Sequence, residues 1–145
     1  MEFVEYANAF DSSDGEGVKV EGDIEMDSLN FDITKIEEKI TSRTKAIFIS
    51  PVLGNSPDMD YLLMLKEKYN IELILDGCDS LGSKWDGKEL TEYVIASTCS
   101  FYASHHLCTI EGGMISSNDS ELVRLARSIA WWGRQCRSSK KTSRH

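Results

Sequence analysis

Two compact apolar runs, Lys45–Ser50 (KAIFIS) and Glu72–Asp76 (ELILD), bracket a segment of helical periodicity, and this constrains the fold more than any other feature. Each run is short and rich in β-branched or bulky apolar residues, the pattern of a buried strand. Pro51, Gly54, Asn55 and Pro57 break the chain after the first run. Asp58 to Tyr69 then places Leu62, Leu65 and Tyr69 at helical spacing, with Asn70 fitting the end. A helix between two strands carries the chain back across the sheet, so the strands run parallel. The expected fold class is α/β, a mainly parallel sheet with flanking helices.

The alternation continues on either side. Val18 to Ile24 alternates weakly and predicts a short strand. Asp32 or Thr34 caps a short helix reaching Ile40, with Ile33, Ile36 and Ile40 on one face. Residues 82–92 are polar and turn-rich. Ser97–Phe101 and Gly113–Ser116 read as further strands. Asn118 with Glu121 makes a capping-box pattern for a helix that carries Leu122, Leu125, Ala126 and Ile129, runs to about Trp131 and stops at Gly133. The expected organisation is an irregular acidic N-terminus over residues 1–17, a domain over 18–136 and a basic, solvated tail over 137–145.

The net charge is −8, with 12 acids and 3 bases in residues 1–40. A chain this acidic is a poor general nucleic-acid binder, because phosphate neutralisation needs a basic face. No apolar run approaches the roughly 18 residues a membrane span needs, and the N-terminus lacks a basic segment followed by an apolar one. The expectation is a cytoplasmic protein that touches neither nucleic acid nor membrane. Cysteines stand at 78, 99, 108 and 136 with no CxxC pair, so reduced thiols are expected, without a zinc ribbon or a disulfide framework.

Ligands of parallel sheets bind near the carboxyl ends of strands. Asp76 ends ELILD there, with Asp79 three residues on in LILDGCDSLGS. A strand-end carboxylate holds a positively charged ring nitrogen, or caps a turn. His105 and His106 lie in SFYASHHLCTIEGG, which opens on Ser100. Histidine moves protons near neutral pH, although an adjacent pair also suits a plain polar loop. Adjacent side chains diverge, so the pair is a weak metal signal, and no metal site is expected.

Five ordered blocks carry a stronger signal than any one of these residues: MDSLNFDITKIEEKITSRTKAIFI, LGNSPDMD, LILDGCDSLGS, SFYASHHLCTIEGGM and WWGRQC. Together they resemble the large domain of the DegT/DnrJ/EryC1/StrS sugar aminotransferases, fold-type I pyridoxal-phosphate enzymes. The resemblance implies that Asp76 pairs with the pyridinium nitrogen of the cofactor and keeps its ring an electron sink. It also implies that Asp79 stands near the phenolic oxygen and that Ser100 contacts the phosphate. In the aminotransferases the fifth residue after that serine is the lysine that binds the cofactor covalently; here it is His105. The chain thus looks closest to the histidine-bearing nucleotide-sugar 3-dehydratases, which use pyridoxamine phosphate. In their reaction, by implication, His105 removes a proton from the cofactor's methylene carbon and the sugar C3 hydroxyl leaves.

That branch acts on nucleotide-linked 4-keto-6-deoxy sugars in deoxysugar and lipopolysaccharide biosynthesis. The resemblance implies a homodimer in the complete enzyme and a reductase as a possible partner. One dehydrase of this type carries a [2Fe–2S] cluster on four cysteines. Cys78 and Cys136, with 57 residues between them, resemble its first two ligands, but Ser138 stands where the next is due, so no cluster is expected in this chain. The upstream phosphate-binding loop and the C-terminal small domain of the family find no counterpart in these 145 residues. The expectation is a partial large domain, inactive alone. The alternatives are a sugar aminotransferase relative and a truncated remnant without catalysis.

Overall fold

The computed structural model describes residues 2–5, 18–19, 24–130 and 132–133. A six-stranded sheet has the order β2-β1-β3-β4-β7-β8. Its strands are β1 (Glu2–Glu5), β2 (Val18–Lys19), β3 (Thr44–Ile49), β4 (Glu72–Asp76), β7 (Ala96–Ser100) and β8 (Gly113–Ser116). All neighbours run parallel except β8, which lies antiparallel to β7. A separate hairpin joins β5 (Lys84–Trp85) to β6 (Lys88–Glu89). The α/β expectation with a mainly parallel sheet matches this architecture.

Helix α1 (Met59–Tyr69) connects β3 to β4. Asp58 caps it, accepting the Tyr61 amide at 3.0 Å, and Asn70 closes it in the left-handed region at φ 52°. Its Met59, Leu62 and Leu65 are fully buried and share one core with Ile47 and Ile49 of β3 and Leu73 and Leu75 of β4. These strand residues alternate with Phe48, Ile74 and Asp76, which are half-buried and lie on the other face. Phe31, Ile36, Ile71 and Leu90 complete the core.

The structure corrects several local expectations. Glu2–Glu5, read as irregular, forms β1 and pairs with both β2 and β3. That pairing partner is some forty residues away, and local composition carries no trace of it. Of the Val18–Ile24 strand, only Val18–Lys19 is a strand, and Ile24 makes an isolated bridge to Phe31. The helix at 32–40 is two successive 3₁₀ turns, Ile33–Lys35 and Glu37–Lys39, with Asp32 accepting the Thr34 amide. The turn-rich 82–92 stretch holds the β5–β6 hairpin. Its Asp86–Gly87 pair takes φ values of 46° and 76°, as a tight two-residue hairpin turn requires.

Helix α2 (Ser120–Ala130) begins one residue later than the capping-box reading implies. Asp119, not Asn118, accepts the amides of Glu121 and Leu122 at 2.8 and 3.2 Å. Gly133, at φ 76°, donates its amide to Ser128, which matches its expected role as a stop. The expected tail over 137–145 lies outside the described residues.

Candidate functional site

The carboxyl ends of β4 and β7 lie side by side, with Asp76 in register with Thr98. The parallel ladder puts both side chains on the same face, and the Thr98 hydroxyl donates to Asp76 Oδ1 at 3.4 Å. The same oxygen accepts the Cys78 amide at 3.0 Å, closing a turn directly after β4. Gly77 fits between the two strands because it has no side chain: its amide donates to the Thr98 carbonyl at 2.8 Å. The half-buried Asp76 has no lysine or arginine partner among the described residues. An uncompensated carboxylate in such a place fits a cationic group such as a protonated pyridine nitrogen.

The turn continues to Asp79. The Ser80 amide donates to the Gly77 carbonyl at 3.3 Å, and Ser80 itself is buried. Asp79 Oδ1 lies 3.1 Å from His105 Nδ1, so the acid three residues after Asp76 meets the histidine of the loop after β7.

Ser100 ends β7 two residues after Thr98, on the same side of the strand. Its Oγ accepts the Tyr102 amide at 3.2 Å, and the His105 amide donates to the Tyr102 carbonyl at 3.0 Å. The Phe101 amide donates to the Gly112 carbonyl at 2.9 Å, which closes the loop that carries His105. Gly112 is left-handed at φ 149°, and an added Cβ there would lie 3.0 Å from Thr109 Oγ1. His106, by contrast, is exposed.

The four residues singled out in the sequence therefore stand at the carboxyl ends of the central strands β4 and β7 and in the segments that follow them, with Asp76 bonded to Thr98 and Asp79 to His105. Thr98 itself was missed. Its alternation with Ser100 on one strand face is the signal that could have found it.

Cys78 stands in the same turn. Burial pushes its thiol up to about 11, and the neighbouring Asp76 carboxylate adds to the effect. It stays a neutral thiol near pH 7. Cys136, its suggested companion, lies outside the described residues. Among the described residues no three His, Cys, Asp or Glu side chains are grouped to hold a metal ion. No described helix is long and apolar enough to cross a membrane.

Known proteins share both the sequence pattern and the fold of this chain. The GDP-4-keto-6-deoxy-D-mannose 3-dehydratase of Yersinia pseudotuberculosis is 37% identical over 107 residues, 74% of this chain and 27% of that enzyme. The dTDP-3-amino-3,6-dideoxy-alpha-D-galactopyranose transaminase of Aneurinibacillus thermoaerophilus is 39% identical over 117 residues, 80% of this chain and 32% of that protein. Among solved structures, the E. coli GDP-4-keto-6-deoxy-D-mannose-3-dehydratase with bound hydrated PLP superposes with a TM-score of 0.75 at 28% identity. That match covers 88% of this chain and 34% of that one. The chain thus spans about a quarter to a third of the length of these relatives. Residues 2–145 match the sequence pattern of one family, and the chain belongs to it: the DegT/DnrJ/EryC1/StrS aminotransferase family.

Proposed function

We propose that this chain supplies the cofactor-binding strand ends of a nucleotide-sugar 3-dehydratase that uses pyridoxamine phosphate. The reaction removes the C3 hydroxyl of a 4-keto-6-deoxy sugar. One observation carries the reading: the fifth residue after Ser100 is His105, a proton-transfer group without an amine, and it contacts Asp79 at 3.1 Å. Asp76 would hold the ring nitrogen and Ser100 the phosphate, with Asp79 beside them. When bound, the cofactor supplies a ring that withdraws electrons from the reacting carbons. Asp76 keeps a negative charge at the strand end to stabilise that ring, and Cys78 and Thr98 orient its carboxylate through their hydrogen bonds to Oδ1. His105 moves the proton, a task suited to an imidazole, which both accepts and donates one through its ring nitrogens.

The likeness to the Yersinia and E. coli dehydratases supports this reading. The likeness to the transaminase favours a second one, in which the family's amino transfer persists. It requires an amine to anchor the cofactor, and SFYASHHLCTIEGGM contains no lysine. On the first reading the complete enzyme is a cytoplasmic homodimer served by an electron-donating reductase.

Three measurements test the reading. Pyridoxamine phosphate titrated calorimetrically into the chain should bind without a covalent bond, and Asp76→Ala should weaken it by about tenfold or more, the loss of one charge-assisted contact. Pyridoxal phosphate followed by borohydride should leave the peptide bearing residue 105 unlabelled. In a polypeptide that joins residues 1–145 to the rest of the family fold, His105→Asn should abolish sugar dehydration. Undiminished dehydration by that variant would overturn the proposal.

A further inference from the structure

The contact between Asp79 and His105 fixes more than a distance. Asp79 Oδ1 lies 3.1 Å from Nδ1 of the ring. A carboxylate oxygen only accepts hydrogen bonds, so this contact requires a proton on Nδ1. A neutral imidazole carries one ring proton, so Nε2 is left with its lone pair. An isolated imidazole side chain has no such constraint, and which nitrogen is protonated is decided by the hydrogen bond that the other makes.

Both partners are held by backbone contacts independent of their own pairing. Asp79 sits in the turn after β4, which is closed by the Cys78 amide on Asp76 and the Ser80 amide on Gly77. His105 sits in the loop after β7, where its amide bonds the Tyr102 carbonyl and the Tyr102 amide bonds Ser100. The side chain of His105 is 22% exposed, so the ring is largely covered, while the Asp79 carboxylate, at 58%, stays open to water. His106, next in sequence, is exposed and has no such partner among the described residues.

We infer that Asp79 is a positioning residue for His105: it holds the ring in the Nδ1–H tautomer and presents Nε2 as the base. This rests on the reading of His105 as the proton-moving group, and it gives Asp79 a role through the histidine in place of a direct role at the cofactor.

The test is nitrogen-15 NMR of the histidine side chains in the full 145-residue chain, with His106 as the internal reference. In the unmodified chain His105 should be protonated on Nδ1 and bare on Nε2, with His106 showing the ordinary mixture. Asp79→Ala should change the His105 tautomer ratio by roughly tenfold, the effect of losing one charge-assisted hydrogen bond. Asp79→Asn, which keeps an acceptor oxygen but not the charge, should fall between the two. Asp79 has a 58% exposed side chain, so neither substitution should disturb the fold, and the backbone amide spectrum reports that directly. A His105 signal that matches His106 in the unmodified chain, or a ratio unmoved by Asp79→Ala, would overturn the inference. Because the readout is a tautomer and not turnover, the inference and the dehydratase reading fail separately.

Discussion

Gly77 stands between Asp76 and Cys78 where no side chain fits. A Cβ built there would lie 2.8 Å from the Thr98 carbonyl oxygen, and that oxygen belongs to a central strand that cannot retreat. Gly77→Ala should therefore destabilise the protein by about 1–3 kcal/mol, the usual cost of overpacking. It should also separate Asp76 from Thr98, since both contacts cross the same pair of strand ends. Urea unfolding measures the first effect, and loss of cofactor affinity without a change at Asp76 itself measures the second. An alanine variant with unchanged unfolding midpoint would show that β4 and β7 are looser at this end than their 2.8 Å amide contact indicates.

At the scale of elements, α1 is tied to the 3₁₀ turn at Glu37–Lys39 by one carboxylate. Glu37 accepts from Lys68 Nζ at 2.6 Å, from the Tyr69 hydroxyl at 2.7 Å and from the Tyr61 hydroxyl at 3.2 Å. The Lys68 ammonium, with help from the two phenols, holds this carboxyl below the usual glutamate range. Its contribution to stability is fully present above the unfolded glutamate value of about 4.3 and is lost as pH falls through the lower folded value. Glu37→Gln should lower the melting temperature at neutral pH and flatten the acid limb of the stability curve, so that melts of the two proteins converge as pH falls below the folded carboxyl value.

The cap of α2 gives a second check. Asp119→Ala should speed amide exchange at Glu121 and Leu122 by an amount near 1 kcal/mol, the usual worth of a cap. Asn118→Ala should do almost nothing. A larger effect at Asn118 would restore the reading drawn from the sequence pattern. β3, α1 and β4 were legible to within a residue or two because periodicity and capping are local. β1 was hidden because its partner is distant, and the β5–β6 hairpin because its strands are too short to alternate. The site residues were legible only through the ordered resemblance. Neither Thr98 beneath Asp76 nor the Asp79–His105 contact is visible in spacing, since both need the β4–β7 register.

Across the whole molecule, apolar side chains are unevenly covered. Leu65 of α1 is fully buried, whereas Leu125 and Ile129 of α2 are 53% and 67% exposed, although both helices show an amphipathic pattern. Leu65→Ala should cost about 2–5 kcal/mol, through lost burial and a residual cavity. Leu125→Ala should change the melting free energy by no more than about 0.5 kcal/mol, as for other exposed positions. Equal costs at the two sites would mean that α2 is covered in solution by something absent from this arrangement.

The order of strands in the sheet also sets an order in time. Asp76 and Thr98 meet across 22 residues of chain, while Glu5 meets Phe48 across about twice that separation. Each doubling of a closed loop adds roughly 0.6 kcal/mol of entropy cost, so pairing of β4 with β7 is the earlier event in refolding and docking of β1 the later one. The region that carries Asp76, Asp79, Ser100 and His105 then assembles before the far side of the sheet is complete. A Val4→Pro substitution, which removes an amide from β1, should accelerate unfolding and leave the refolding rate of that region unchanged.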